Sequence, residues 1–227
     1  MAAPTSLIIN SAFTEPQQYW AENPDRNLRL EPTRRAAGYE IIDTRENTRR
    51  QVPIPLVDTI RDRVRQWRTD GWPGTTAVTL GLLQHWWDAD KVSRRQYPFY
   101  FCQLEAIETL IWHAEALPEY RQGIHIQGDG GEFERLCSKM ATGSGKTTVM
   151  AMIITWQVLN ALTYPKRNKD FSRAVFIVAP GLTVKERLQV LLPSEGSYYD
   201  EFNLCPSEAL RQKLNQAEVL IENLHTL

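Results

Sequence analysis

One stretch decides the fold of this chain: Met140-Ala141-Thr142-Gly143-Ser144-Gly145-Lys146-Thr147. Glycines at 143 and 145 let the backbone approach a ligand closely, and successive N–H groups in such a turn form a concavity that binds anions. The apolar run that follows, KTTVMAMIITWQVLNAL at 146–162, reads as a helix whose N-terminal dipole adds to the attraction. A polyphosphate suits this arrangement. Residues 142–148 wrap it, from Thr142 through Gly143, Ser144, Gly145, Lys146 and Thr147 to Thr148, with the Lys146 ammonium on the terminal phosphates and the Thr147 hydroxyl on Mg²⁺. The strict pattern G-x-x-x-x-G-K-[ST] wants glycine at 140, where this chain has Met140. A glycine-rich turn that merely contains Lys and Thr is the competing reading, and the flanking strand and helix weigh against it.

Working outward, RLCSKMAT at 135–142 reads as the short strand that feeds this turn. Ala174 to Pro180 is a continuous apolar, β-branched run, which suits a parallel strand buried on both faces. Thr183-Val184-Lys185-Glu186 has the capping-box pattern and opens a helix that stops by Pro193. Ser207 caps a further helix to Leu214, and Ala217 to Ile221 forms a third strand. Strand alternating with helix marks a parallel α/β sheet, covering 96–227.

Upstream, the first 55 residues hold six prolines and the basic runs Thr33-Arg34-Arg35 and Arg45 to Arg50, and read as extended segments and turns. The basic runs suit a solvated surface or a phosphate-contacting patch. Leu56, Ile60, Val64 and Trp67 recur at steps of four, four and three, which predicts a helix ending near Gly71, before a turn at Trp72-Pro73-Gly74. A second helix runs from Thr79, its expected N-cap, to Trp87. Trp67, Trp72, Trp86 and Trp87 either pack together or stack on bases, and their place beside apolar helix faces favours packing. After Pro98, Leu104, Ile107, Ile111 and Ala114 form one helical face, closed by Pro118. GIHIQGDGGEFE at 123–134 reads as an exposed excursion. Residues 1–95 thus form a mostly helical and irregular accessory region.

Composition sets limits on function. The chain has 227 residues, a 42% hydrophobic share and a formal charge of -1, which fits a folded protein without a global basic field. Cys102, Cys137 and Cys205 lie far apart without zinc spacing, and no apolar window is long enough for a membrane span. A cytoplasmic protein without a membrane partner is expected.

The sequence from Met140 to Thr147 resembles motif I of superfamily 2 helicases and translocases. Phe101-Cys102-Gln103-Leu104-Glu105-Ala106-Ile107 resembles their Q motif, and Ala179-Pro180-Gly181-Leu182-Thr183 their motif Ia. With Asn223-Leu224-His225, the order of segments is similar to the Res subunit of type III restriction enzymes and its DEAD-box-like relatives. The resemblance implies an incomplete RecA-like P-loop domain that binds ATP and Mg²⁺ and drives translocation on duplex DNA, with a modification subunit as partner. Lys146 and Thr147 would be catalytic, Gln103 would read adenine with Phe101 flanking the ring, and Pro180, Gly181 and Thr183 would hold the DNA backbone. Without the resemblance, Gln103 is a polar residue near a helix start and Thr183 an ordinary capping residue. The Asp-Glu-x-x motif II and the arginine fingers of a second motor domain have no counterpart, so this stretch alone is expected to lack helicase-like ATP turnover. Two other readings stand beside the motor: a non-catalytic nucleotide- or nucleic-acid-binding module, and a P-loop ATPase outside the helicases.

Overall fold

The apolar spacing from Leu56 to Trp67 produces helix α1 (Pro55–Thr69), with Pro55 in its first turn, where a missing N–H costs nothing. Val64 and Trp67 are fully buried on its inner face. The structure, a computed structural model, describes residues 8–22, 27–43, 45, 48–90, 95–128, 130–133 and 135–226. Pro4, Pro24, Glu46, Asp129 and Glu134 lie outside the described residues.

Ahead of α1 stand two antiparallel hairpins, β1 (Tyr19–Glu22) with β2 (Leu28–Glu31) and β3 (Gly38–Asp43) with β4 (Thr48–Pro53). The expected helical and irregular accessory region is therefore partly β. Proline punctuation hid strands in which aromatic and aliphatic residues such as Tyr39, Ile41 and Val52 are interleaved with charge. The second hairpin is tied to α1, because the Asp58 carboxylate accepts from Ala37 N–H at 2.9 Å and Ile54 N–H donates to Ala37 O at 2.9 Å.

Helix α2 (Ala77–Trp87) is capped by Thr76, whose side chain accepts from Thr79 N–H at 3.0 Å, and not by Thr79 itself. Thr79 lies inside the first turn, where its hydroxyl serves the core. The tryptophans pack as expected. Trp67 and Trp86 are buried, with their indole N–H groups on Pro73 O and Leu204 O at 2.9 Å, and Trp72 and Trp87 lie against the same core.

Helix α3 (Phe101–Glu115) buries Leu104, Ile107 and Ile111, but the fourth expected position, Ala114, is exposed and Glu115 is buried instead. Three donors hold its carboxylate in place: Thr76 N–H at 2.8 Å, Thr79 Oγ1 at 2.8 Å and Trp156 Nε1 at 2.6 Å. Asn160 completes the network by donating to Thr79 Oγ1 at 2.9 Å. Burial raises the Glu115 pKa, and these donors pull it back. Glu108, also on α3, is fully buried and accepts from Arg68 Nε at 2.9 Å and Trp72 Nε1 at 2.8 Å. Burial pushes its pKa up to about 7 in spite of Arg68.

A short turn, α4 (Pro118–Arg121), leads into exposed bends, and the long helix α5 (Lys146–Thr163) then runs through the middle of the core. Its apolar circumference is matched by burial of Val149, Ala151, Met152, Ile154, Val158 and Leu159. Beyond it come β5 (Ala174–Ala179), α6 (Leu182–Leu188), α7 (Tyr198–Glu201), α8 (Glu208–Leu214) and β6 (Glu218–Asn223). Ser207 caps α8 as expected, accepting from Leu210 N–H at 3.4 Å.

Strands β5 and β6 pair in parallel from Ala174↔Glu218 to Ala179↔Asn223. Two expectations fail here. Residues 135–140 form no strand and 135–139 are exposed, since no described strand lies beside them to complete a ladder. The pair is also buried on one face only. Ile177, Ala179 and Ile221 turn inward, while Phe176 is 54% exposed and Leu220 55% on the other face. The observed sheet is one parallel pair, less than a full RecA-like sheet.

Two measurements test this core. Glu115→Ala strands three buried donors and should lower the unfolding free energy by about 3 kcal/mol, read from urea midpoints. Glu108 binds its proton more tightly folded than unfolded, so its contribution to stability is full below the usual carboxylate value of 4.5 and is lost as pH rises through about 7. The stability of the wild type relative to Glu108→Gln should therefore fall across that window.

Candidate nucleotide-binding site

The site is built on the turn before α5. Gly143 and Gly145 both have left-handed backbones, with φ of +79° and +76°, and Gly145 occupies the N-cap of α5. First-turn N–H groups of a helix have no intrahelical acceptor and point out of its start. Ser144 steadies the turn through its hydroxyl, which donates to Ala141 O at 2.7 Å. The exposed Lys146 ammonium folds back over the loop and donates to Ala141 O at 2.9 Å and Met140 O at 3.3 Å. Two neutral carbonyls hold it, and no carboxylate competes for it among its described partners.

Thr142 is exposed, and Thr147, the second residue of α5, is half-buried. Thr148 is buried, and its hydroxyl meets Tyr198 Oη at 3.0 Å. No local pattern marks Tyr198 in the sequence. It lies fifty residues away on α7 and reaches the loop only through the tertiary fold.

The start of α3 comes to the same place. Gln103 is buried, its Oε1 accepting from Tyr100 N–H at 2.9 Å and its Nε2 donating to Gly145 O at 3.5 Å. It thus caps α3 and touches the phosphate turn at once. Cys102 Sγ lies 3.9 Å from Ser144 O. Phe101 turns inward, edge-on to Trp87 at 6.0 Å and beneath the Arg34 guanidinium at 5.5 Å.

Pro180, Gly181 and Thr183 lie where β5 passes into α6. The helix starts at Leu182 with Gly181 as its N-cap and no side-chain cap, so the expected capping box at Thr183 does not form. Lys185 N–H donates to Gly181 O at 3.0 Å, which closes the first turn without a side chain and leaves Thr183 exposed. Lys185 pairs with Glu222 at 2.7 Å, and that pairing holds the Glu222 carboxyl below its usual range. Asn223 is buried, its Oδ1 accepting from His225 N–H at 2.6 Å.

The family described as type III restriction enzyme, res subunit, matches residues 96–227, more than half of the chain and every element just placed around the turn. The chain belongs to this family. No curated protein and no solved structure matches it. Membership in the Res family brings a RecA-like fold and a helicase-like, ATP-dependent motor as the family's general activity, with ATP and Mg²⁺ its usual cofactors and DNA its usual substrate. The residues at the turn fit a nucleotide: two left-handed glycines, an exposed ammonium and a hydroxyl at a helix start. No described helix is long and apolar enough to cross a membrane.

The glycines give a test. A Cβ at Gly145 would lie 2.0 Å from Gln103 Nε2, whereas one at Gly143 meets nothing within 4 Å. Both alanine variants carry the left-handed penalty of roughly 1–2 kcal/mol, and Gly145→Ala should cost more. Combining it with Gln103→Ala should remove the excess, as a double-mutant cycle of urea midpoints will show.

Proposed function

We propose that this chain carries the nucleotide-binding part of an ATP-driven DNA translocase or helicase, the motor subunit of a restriction enzyme. The observation that supports it is the Lys146 ammonium lying exposed over a two-glycine turn at the start of α5, held among the described residues by backbone carbonyls that phosphate oxygens can replace. On binding, Lys146 leaves Ala141 O and Met140 O for the terminal phosphates. The N–H groups from Gly143 to Thr147 meet the remaining oxygens, and the Thr147 hydroxyl holds Mg²⁺. That ion supplies charge neutralisation at the transferred phosphoryl group. Thr142, Ser144 and Thr148 keep the turn in shape, Thr148 through Tyr198.

Gln103 is the adenine-side residue in this reading. Its amide already spans the start of α3 and the phosphate turn, so a base that draws on it also reaches Gly145. Pro180, Gly181 and the exposed Thr183 hydroxyl take a DNA phosphate. Residues 1–95 form an accessory region to the motor at 96–227. A modification subunit is its partner, in the cytoplasm.

Titration calorimetry with Mg²⁺ and ATP is the direct test. Lys146→Ala should weaken binding at least tenfold, the scale of one charge-assisted contact, while leaving the thermal midpoint in place. ATP affinity that is indifferent to Lys146 would remove the basis of the proposal.

A further inference from the structure

The bends after α4 fold over a cavity of about 290 Å³ that shares no lining residue with the 143–147 turn. Its walls are the last turn of α3 at Trp112 and His113, Arg121 at the end of α4, the bends at 124–128, and the segment arriving at Arg135 and Leu136. Ile124 and Leu136 give it an apolar side. The short α4 beneath it is fastened at both ends. Tyr120 Oη donates to Asp70 Oδ2 at 2.8 Å, and Ile124 N–H donates to Arg121 O at 3.0 Å.

Donors dominate the polar side of this cavity. Trp112 is 1% exposed, and its indole N–H meets no acceptor. The Arg121 guanidinium donates through Nη1 to His113 O at 2.8 Å, while its Nε–H is shielded from water and has no acceptor. A buried donor without an acceptor is costly, and native proteins leave few of them. Two on residues that line one cavity point to an acceptor that enters it. His125 and Arg135 complete the polar wall, Arg135 also lying over the Phe133 ring at 5.8 Å. Among the described residues no carboxylate lines the cavity.

The charges say which kind of acceptor fits. A water molecule would supply oxygen but make no use of the positive charge of Arg121 and Arg135. A carboxylate is planar and fills one guanidinium edge. A phosphate monoester carries three outward oxygens and close to two negative charges, so it can serve donors arriving from α3, α4 and the 135–136 segment together. The Arg121 Nε edge offers it a fork, and the indole N–H a single donor. At about 290 Å³ the space lies at the small end of ligand sites, which run from roughly 300 to 1,000 Å³. That suits a compact molecule with one phosphate. A nucleic-acid phosphate has one charge and chain on both sides, and matches such a cavity less well.

We propose that this cavity binds the phosphate monoester group of a small organic molecule, with Trp112 and Arg121 as its buried donors and the exposed His125 and Arg135 at its mouth. Occupancy ties the 135–136 segment to α3, four residues ahead of Met140, whose carbonyl accepts from Lys146. The proposal stands on residues outside the 143–147 turn and does not depend on the nucleotide reading.

The probe is inorganic phosphate, followed by heteronuclear NMR of side-chain N–H groups on the full chain, with the Trp112 indole signal assigned from Trp112→Phe. Phosphate should move the Trp112 indole and Arg121 Nε–H signals together and saturably, and chloride at the same ionic strength should not. Arg121→Gln should weaken phosphate at least tenfold, the scale of one charge-assisted contact. Arg135→Gln, at an exposed position, should weaken it severalfold, and decides the matter if Arg121→Gln does not fold. Lys146→Ala should leave the shift unchanged. Signals indifferent to phosphate, an equal response to chloride, or undiminished affinity in the arginine variants would each overturn the inference. So would a shift that disappears with Lys146→Ala, because it would then originate at the 143–147 turn. A thymidine dinucleotide that moves these signals while inorganic phosphate does not also overturns it, by giving the cavity to a nucleic-acid backbone.

Discussion

A buried carboxylate satisfied by neutral donors holds the helices of this protein in register. Glu115 receives an N–H from the N-cap of α2, a hydroxyl from the first turn of α2 and an indole N–H from the middle of α5. Hydrophobic burial alone is non-directional and would let α2 slide along α5. Hydrogen bonds to one carboxylate forbid that, because each displaced donor would be left dry. Around this point Trp67, Leu83, Trp86, Ile107, Met152 and Leu159 close the core.

The rigid α5 carries that order to the phosphate turn. Its buried circumference leaves the helix no freedom to roll, so the two left-handed glycines at its start are held against a fixed neighbour, the N-terminal turn of α3. Helices α1 and α2 belong to the same core, so the region ahead of residue 96 supports the site mechanically. The hairpin β3–β4 is attached more lightly, through the Ala37 contacts at its base.

The β5–β6 pair shows what an incomplete layer does to a strand reading. AVFIVA is apolar at every position, which suits burial on both faces. Strand geometry sends alternate side chains to opposite sides, and described elements cover only the side carrying Ile177 and Ala179. Residues 135–140 are the same lesson in backbone terms. A strand exists by sharing hydrogen bonds with a neighbour, and local sequence supplies none.

The helices were legible in the sequence because their signal is local. The Leu56–Trp67 spacing, the largely apolar run after Lys146 and the cap at Ser207 each follow from residues within a turn or two. The two-glycine turn ahead of α5 was legible for the same reason, since Gly143 and Gly145 stand next to the helix start at Lys146. The short hairpins were not, because paired residues such as Tyr39 and Val52 owe their conformation to each other. Nor was the burial of Glu115 in place of Ala114, which depends on donors from positions 76, 79 and 156. Tyr198 on Thr148, and Phe13 beside Tyr100, join residues far apart in the chain. The sequence by itself determined the two-glycine turn and the helices beside it, since both rest on short-range geometry. Only the tertiary structure decided what surrounds that turn, because those contacts exist only once distant donors, acceptors and rings have been packed together.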